Sequence, residues 1–458
     1  MSFFRTRPRA LLVYPPVYDF ALFDLFLKPF GLLRVESWLG GAGWDTRCVN
    51  ALDYEDEASA AVLGKPKRGN FGTGKFFREG SREGEWGRLF GRRFSRYGIV
   101  QGAFEKRLAS AFAHTGGAPD VVLVSSGMTY WYAGVREAVR SCRSLFPKTP
   151  IAVGGIYASL LPGHCAASCG PDAVIAGDSS SALGDFLGRL GLPVPAGEYP
   201  DSPRREAASV LKDAAILRLS RGCPYSCDYC ASRVLFPRFS SAGPDAAFES
   251  FRVFREAGIL NFAFYDDALL VNKEKVFLPF LERVISCTEK NDERPRFFLP
   301  NAVHINEIDS RTAFLMKRSG FQEVRMGFES SSPRFHAEHT PGGAKFEPRL
   351  FSETVRLLRE AGFPSRALIA YVLAGLPGQR AQEAEASLRA ARASGARVQV
   401  SEFSPVPGSP LWEKAVSLSR YPLAEEPLYQ NNSIFPLEWE GFTQSDLQRL
   451  KELARSPL

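Results

Sequence analysis

Three cysteines lie close together in the middle of the chain, at Cys223, Cys227 and Cys230. Their thiolates are soft ligands, and soft ligands favour an iron–sulfur cluster or zinc. A structural zinc site usually needs four protein ligands, and the next Cys and His, Cys287 and His304, are distant in sequence. The spacing therefore favours a three-ligand iron–sulfur cluster, with one iron open to substrate or cofactor, over unrelated buried or surface cysteines.

The remaining cysteines are scattered: Cys48, Cys142, Cys165, Cys169 and Cys287. Such sparse cysteines fit a reducing cytosol with one metal site better than a disulfide framework. Cys165 and Cys169 are one helical turn apart, and we interpret them as structural because no third ligand accompanies them.

Apolar runs that alternate with helical patterns surround the cysteines and must position them. The predicted strands are Ile216–Ser220, Asn261–Tyr265, Arg296–Leu299, Glu323–Gly327, Ala367–Ala374 and Arg397–Glu402. The predicted helices between them include Asn272–Ser286, Phe351–Ala361 and Ala381–Ala393. Six strand–helix units suit a partial parallel (β/α)6 barrel, whose active site lies at the C-terminal ends of the strands.

The first half of the chain predicts a second α/β domain. Its expected strands are Ala10–Tyr14, Trp44–Val49, Asp120–Ser125, Ile151–Gly155 and Ala173–Gly177. The near-continuous apolar runs are typical of strands buried on both faces, and their alternation with helices indicates a parallel, doubly wound, Rossmann-like sheet.

These patterns divide the chain into a Rossmann-like domain (1–192), a Pro-rich linker (193–209), a partial barrel (210–410) and a small helical C-terminal segment (411–458). The first domain carries an insertion at about 53–104. Ten Lys or Arg and three Glu lie between Lys65 and Arg96. A solvated surface insertion and a lid over an anionic ligand are both consistent with this pattern.

Composition excludes several classes of protein. Of 458 residues, 45% are hydrophobic and 23% charged, which excludes a disordered, collagen-like or coiled-coil chain. No apolar run is long enough for a membrane span, and no apolar segment follows the N-terminal arginines, so we expect a cytoplasmic protein. The net charge of +7 is too diffuse to indicate nucleic-acid binding.

The cysteine segment, Cys223-x3-Cys227-x-Tyr229-Cys230, resembles the signature of the radical S-adenosylmethionine (radical SAM) enzymes. The resemblance implies that the three cysteines hold a 4Fe–4S cluster whose fourth iron binds the amino and carboxylate groups of SAM. It further implies reductive cleavage of SAM to methionine and a 5′-deoxyadenosyl radical, with the backbone around Tyr229 meeting the adenine.

Later segments resemble further parts of the same family: Phe264–Asp267, Arg325–Glu329, Tyr371–Gly378 and Ser404–Pro410. Through them the resemblance implies SAM contacts at Asp266, Asp267, Glu329, Gly375 and Pro377. Each segment alone has a structural alternative, because an acidic pair can cap a helix and glycines can simply form turns.

The first half resembles the cobalamin-binding domain found upstream of many radical SAM domains. The matching segments are Tyr14–Pro16, Pro29–Leu32, Ser125–Met128, Val153–Pro162 and Gly177-Asp178. The resemblance implies cobalamin contacts at Tyr14, Pro15, Ser125, Ser126, Gly154, Gly155 and Gly177. No histidine has an Asp two residues before it, so the cobalt-ligating Asp-x-His-x-x-Gly motif is absent and cobalamin is expected without a protein His ligand. The alternative is a Rossmann-like domain that has lost cobalamin or binds another ligand.

The two resemblances together imply a cobalamin-dependent radical SAM enzyme. The implied reaction is methylation of an unactivated carbon or of phosphorus in a small-molecule substrate through methylcobalamin, with an electron donor such as flavodoxin or ferredoxin. One alternative is a rearrangement or cyclisation that uses cobalamin without methyl transfer. An alternative of another class is a non-catalytic cobalamin or iron–sulfur binding protein, such as a sensor.

Overall fold

The computed structural model describes residues 7–81, 85–113, 117–288, 293–340 and 348–456. The chain divides into two compact units, Met1–Lys212 and Asp213–Leu458. None of the helices within the described ranges is both long and apolar enough to cross a membrane.

The first unit is built on a parallel sheet. Its strands are β1 (Arg9–Tyr14), β2 (Val17–Asp19), β3 (Asp45–Asn50), β4 (Arg78–Ser81), β5 (Phe94–Tyr97), β6 (Val121–Ser126), β7 (Ile151–Gly155) and β8 (Ala173–Ile175). Five of them form the sheet in the order β3-β1-β6-β7-β8, and every pair is parallel. The strand order reverses between β1 and β6, the position at which doubly wound sheets bind their ligands. The predicted Rossmann-like sheet is confirmed.

Helices cover both faces of this sheet. They are α1 (Phe30–Gly41), α2 (Glu57–Leu63), α3 (Glu85–Phe90), α4 (Gln101–Ser110), α5 (Tyr132–Leu145), α6 (Ile156–Leu160), α7 (Pro162–Cys169), α8 (Ser180–Arg189) and α9 (Ala208–Leu211). Leu11 and Val13 of β1 belong to one core cluster, whereas Ala10 and Leu12 belong to the other. Because successive side chains point to opposite faces, a strand buried on both faces must be apolar throughout, which explains the continuous apolar runs.

The basic insertion contains folded structure. Strands β2, β5 and β4 form a small antiparallel sheet, and residues 82–84 lie outside the described ranges. Several of its basic side chains have structural partners: Arg96 pairs with Glu137 at 2.6 Å, and Arg68 pairs with Asp24 at 2.8 Å.

The Pro-rich segment, interpreted from sequence as a linker, packs against the first unit. Trp38 Nε1 donates to the carbonyl of Gly197 at 3.0 Å, and Arg34 Nε donates to that of Pro200 at 2.6 Å. Arg204 pairs with Glu36 at 2.7 Å. These side chains on α1 satisfy the polar groups of the segment, so it is held although it lacks regular structure.

The second unit contains six parallel strands in chain order. Its strands are β9 (Ala214–Leu217), β10 (Ser220–Arg221), β11 (Ser240–Ser241), β12 (Asn261–Phe264), β13 (Arg296–Phe298), β14 (Val324–Glu329), β15 (Leu368–Ala374) and β16 (Arg397–Glu402). One parallel sheet has the order β13-β12-β9 and another the order β14-β15-β16. Parallel bridges Phe297–Phe321 and Val303–Met326 connect the two. The predicted partial barrel is confirmed.

The helices of this unit are α10 (Ser232–Leu235), α11 (Pro244–Glu256), α12 (Phe277–Thr288), α13 (Ser310–Ser319), α14 (Pro333–His339), α15 (Pro348–Glu360), α16 (Ala381–Ala393), α17 (Trp412–Leu418) and α18 (Gln444–Arg455). The helix predicted from Asn272 begins only at Phe277. Asn272 itself has a φ of 59°, a left-handed conformation that interrupts a right-handed helix.

The C-terminal segment packs against the ends of the last barrel strands. Leu411, Ala415, Leu423 and Leu437 share a buried cluster with Leu373 of β15. Lys451 of α18 pairs with Glu402 of β16 at 2.8 Å. This packing stabilises the barrel at β15 and β16.

Candidate functional site

The three cysteines lie on the loop that follows the first barrel strand, between β10 and α10. Cys227 is buried, Cys223 is half-buried and Cys230 is exposed. The loop bends tightly, because the N–H of Cys230 donates to the carbonyl of Cys227 at 3.2 Å. Gly222 opens the loop with a φ of 75°, and a Cβ there would lie 3.1 Å from the carbonyl oxygen of Arg238. The turn that presents Cys223 therefore favours glycine.

The donor set fits an iron–sulfur cluster. In the described parts of the chain, no group of three or more His, Cys, Asp or Glu side chains is close enough to share a single metal ion. A cubane cluster takes its thiolates on separate irons, so this result concerns single-ion sites. Three soft thiolates on one loop at the C-terminal end of a barrel strand provide the ligands of a cubane with one open iron.

Two carboxylates at the end of β12 bracket this loop. Asp266 Oδ1 accepts hydrogen bonds from Leu219 N at 2.9 Å, Ser220 N at 2.5 Å and Ser220 Oγ at 2.7 Å. Asp267 Oδ2 accepts from Ser232 Oγ at 2.7 Å. One carboxylate thus holds the segment before Cys223, and the other holds the segment after Cys230.

Asp266 has an unusual environment for a carboxylate. Its side chain is 3% exposed, and burial raises its pKa to about 7 despite the hydrogen bonds from Ser220. Oδ2 has no hydrogen-bond partner among the described residues. Burial likewise raises the pKa of Asp267. The same contacts explain why the first barrel strand ends at Leu217 rather than at the predicted Ser220: a carboxylate replaces the sheet at Leu219 and Ser220.

Tyr229 lies between the cysteines and the C-terminal cluster. Its ring centroid is 6.4 Å from that of Phe335. Burial raises its pKa, and the neighbouring charges of Glu329 and Cys227 act in the same direction. On the other side of the loop, the ring of Tyr225 lies 4.6 Å from that of His304.

Glu329 ends β14 in a left-handed conformation, with a φ of 60°. The pairing of β14 with β15 shifts register between Gly327 and Glu329, so a bulge turns the strand at this point. A non-glycine residue at this φ is strained and persists only where its surroundings hold it. Arg325 on the same strand is already engaged, with Tyr371 Oη at 2.6 Å and Glu323 at 2.7 Å.

Gly375 and Pro377 form the turn after β15. Gly375 has a φ of 87° and donates its N–H to Gln379 Oε1 at 2.8 Å. Gln379 Nε2 in turn donates to the carbonyl of Leu373 at 3.0 Å. A Cβ on Gly375 would lie 3.1 Å from the ring of Phe435. Pro377 is buried within this turn.

The candidate residues of the first unit meet at one edge of its sheet. Tyr14 and Pro15 follow β1, Ser125 and Ser126 end β6, Gly154 and Gly155 end β7, and Gly177 follows β8. The sequence therefore places every one of these residues at the C-terminal edge, beside the point where the strand order reverses.

Ser126 and Gly155 shape this edge. Ser126 Oγ donates to the carbonyl of Gly154 at 2.7 Å and accepts from Ala158 N at 3.1 Å. Gly155 has a φ of 103°, and a Cβ there would lie 2.3 Å from the carbonyl oxygen of Ser126. The loop after β7 can take this path only with glycine, which leaves backbone open to a ligand.

The edge also presents apolar surface. Met128 is 44% exposed and Ile156 is 39% exposed. A cradle of glycine backbone with exposed apolar side chains fits a large, partly apolar ligand such as a corrin and its nucleotide tail. The neighbouring aromatics are mostly structural: Tyr132 lies in the core, and Trp131 Nε1 donates to Asp19 at 2.6 Å.

Sequence reasoning missed several residues that organise the site. They are Ser220, Ser232, His304, His339 and Gln379. The two serines flank the cysteine motif, which is a weak signal. The two histidines and Gln379 act through contacts distant in sequence, and no local pattern marks them.

Comparison with known proteins identifies the second unit. Residues 217–391 match the family model of the radical SAM superfamily. An uncharacterized methyltransferase of Pyrococcus horikoshii is 25% identical over 236 residues, which is 50% of this chain and 45% of that protein. The anaerobic magnesium-protoporphyrin IX monomethyl ester cyclase of Synechocystis sp. is 27% identical over 159 residues, 34% of this chain and 30% of the cyclase. The chain thus spans less than half of each of these curated relatives.

Solved structures share the fold of the whole chain. The radical SAM methyltransferase TsrM of Kitasatospora setae, with cobalamin and a 4Fe–4S cluster bound, aligns with a TM-score of 0.64 at 16% identity. The alignment covers 91% of this chain and 76% of TsrM. The same enzyme with tryptophan and a SAM analogue gives a TM-score of 0.65 and covers 96% and 88%. At this identity the alignment establishes the fold, and together with the family match it shows that the second unit contains a domain of the radical SAM superfamily.

Proposed function

We propose that this protein is a cobalamin-dependent radical SAM methyltransferase. The observation that carries the proposal is the cysteine loop: three thiolates at the C-terminal end of the first strand of a six-stranded barrel, in a region that matches the radical SAM family. The methyltransferase among the relatives supports methyl transfer as the reaction.

In this proposal Cys223, Cys227 and Cys230 hold the 4Fe–4S cluster. A bound cluster would supply the electron that cleaves SAM, and bound cobalamin would carry the methyl group to the substrate. Glu329, Gly375 and the backbone near Tyr229 line the SAM site. Asp266 and Asp267 orient the cysteine loop through Ser220 and Ser232, and we retain both as candidate SAM contacts.

The first unit is the proposed cobalamin site. Tyr14, Pro15, Ser125, Ser126, Gly154, Gly155 and Gly177 share the edge at the strand-order reversal. The glycine cradle at Gly155 and the exposed Met128 and Ile156 support a large ligand there. No histidine follows an Asp at the required spacing, so the proposal places no protein His on cobalt.

The proposed substrate is a small molecule with an unactivated carbon or a phosphorus atom as methyl acceptor. An external donor of the flavodoxin or ferredoxin type would reduce the cluster. Two molecules of SAM would be consumed in each turnover: one gives S-adenosylhomocysteine, and the other gives methionine and 5′-deoxyadenosine after hydrogen abstraction.

The testing experiment begins with anaerobic expression in cobalamin-supplied cells. Iron, sulfide and cobalamin are measured, and the loaded protein is then incubated with SAM and a reductant. The proposal expects about four irons and about one cobalamin per chain, together with both S-adenosylhomocysteine and 5′-deoxyadenosine. A protein with a cluster but no cobalamin would overturn the assignment of the first unit.

A second candidate is a radical cyclisation or rearrangement without methyl transfer. The similarity to the magnesium-protoporphyrin ester cyclase favours it. The products separate the two candidates, because 5′-deoxyadenosine without S-adenosylhomocysteine indicates the second.

A further inference from the structure

The residue between the second cysteine and Tyr229 is held from several directions. The N–H of Asp228 donates to the carbonyl of His339, and its own carbonyl accepts from Leu411 N, each at 3.1 Å. Its side chain is engaged as well: His339 Nδ1 donates to Asp228 Oδ2 at 2.9 Å. Asp228 thus joins the cysteine loop to the end of α14 and to the start of the C-terminal segment.

This pair is largely shielded from solvent. The side chain of His339 is 12% exposed and that of Asp228 is 18% exposed. The ring of His339 packs 4.7 Å from that of Phe335, which also contacts Tyr229. His339 therefore has little freedom to turn away, and its hydrogen bond to the loop has a defined geometry.

We infer that His339 is a positioning residue which sets the spacing of Cys227 and Cys230 by holding Asp228. The inference rests on the proposed function, because it concerns a cluster bound by those cysteines. Residues that orient the ligands of a metal centre commonly change its affinity by about 10- to 100-fold when removed. The backbone bonds of Asp228 survive a change of the His339 side chain, so we expect a loosened loop rather than a lost one.

The test uses the anaerobically reconstituted full-length protein. It measures the rate at which a chelator removes iron and the electron paramagnetic resonance spectrum of the reduced cluster. In His339→Ala and in Asp228→Ala we expect iron release about 10-fold faster and an altered spectrum. In His339→Asn a side-chain amide can still donate to Asp228, and we expect release close to wild type.

His336→Ala is the matched control. His336 lies on the same helix but bonds to the carbonyl of Ser330 at 2.7 Å, and we expect its loss to leave the cluster signals unchanged. Thermal unfolding of every variant separates a general loss of folding from a local effect on the loop.

The double variant tests whether His339 acts through Asp228. If it does, His339→Ala combined with Asp228→Ala releases iron no faster than either single variant. Additive effects, or wild-type release and spectrum in His339→Ala, would overturn the inference and leave the proposed function standing. A wild-type protein that assembles no cluster would overturn the proposed function itself.

Discussion

Ser220 Oγ donates a hydrogen bond to Asp266 Oδ1 at 2.7 Å, which joins the end of the second barrel strand to the segment that enters the cysteine loop. The next residue, Asp267, makes the equivalent bond to Ser232 on the exit side of the loop. The acidic pair thus acts on the cysteines from outside the motif, and it makes the loop depend on the barrel.

Replacing Asp266 tests this dependence. In Asp266→Ala the N–H groups of Leu219 and Ser220 lose their acceptor in a buried setting, at a cost of about 1–3 kcal/mol for each unsatisfied group. We expect the free energy of unfolding to fall by about 3 kcal/mol and cluster assembly to fail. Chemical denaturation and iron content measure the two effects. Asp245→Ala, which changes an exposed carboxylate, is the control; equal stability of the two variants would contradict the role of Asp266.

The buried Asp266 also predicts a pH dependence of stability. Burial raises its pKa from 3.8 to about 7, so the folded state binds a proton that the unfolded state releases. The stabilisation from this proton is complete below about pH 4 and is lost as the pH rises through about 7. The slope of the free energy of unfolding between pH 5 and pH 8 should therefore be less negative in Asp266→Asn than in wild type. Identical slopes would show that Asp266 does not titrate in this range.

The cysteine assignments predict a sharp division among the cysteines. Cys223→Ala, Cys227→Ala and Cys230→Ala should each lose the cluster, because a cubane held by two thiolates has two open irons. Cys287→Ala, which removes another exposed cysteine, should retain it. Iron and sulfide content after anaerobic reconstitution measures the difference. Wild-type iron content in any of the first three variants would contradict the assignment.

Gly155 predicts the position of the ligand on the first unit. In Gly155→Ala the new Cβ would lie 2.3 Å from the carbonyl oxygen of Ser126 in a left-handed conformation, and we expect a loss of about 1–3 kcal/mol in stability. The loop would also move, and cobalamin binding should weaken. Gly163→Ala places its Cβ in open space on α7 and serves as the control. Equal cobalamin content in both variants would place the ligand elsewhere.

Gln379 predicts a second structural contribution, to the turn that carries Gly375. Gln379→Ala removes the acceptor of the Gly375 N–H and the donor to the carbonyl of Leu373. Two buried backbone groups would lack partners, and we expect SAM affinity to fall by about 10-fold, or about 1.4 kcal/mol. Equilibrium binding of SAM measures the change, with the exposed Gln399→Ala as control. Unchanged affinity in Gln379→Ala would separate this turn from the SAM site.

Local pattern was sufficient for the elements and for the cysteine motif. Strands buried on both faces must be apolar along their length, which predicted β7 and β16 at their observed bounds. The helix over Ala381–Ala393 was likewise predicted with its observed bounds. Thiolate chemistry depends on residue type and spacing, so the loop of Cys223, Cys227 and Cys230 needed no coordinates to be recognised.

Tertiary structure decided how that loop is held. Asp266 meets Ser220 across 46 residues of sequence, and His339 meets Asp228 across 111. It also decided that the Pro-rich segment after residue 192 packs against α1, through the side chains of Arg34 and Trp38. Hydrogen bonds between distant residues depend on which surfaces the fold brings together, and a periodicity of two or of 3.6 residues carries no record of that choice.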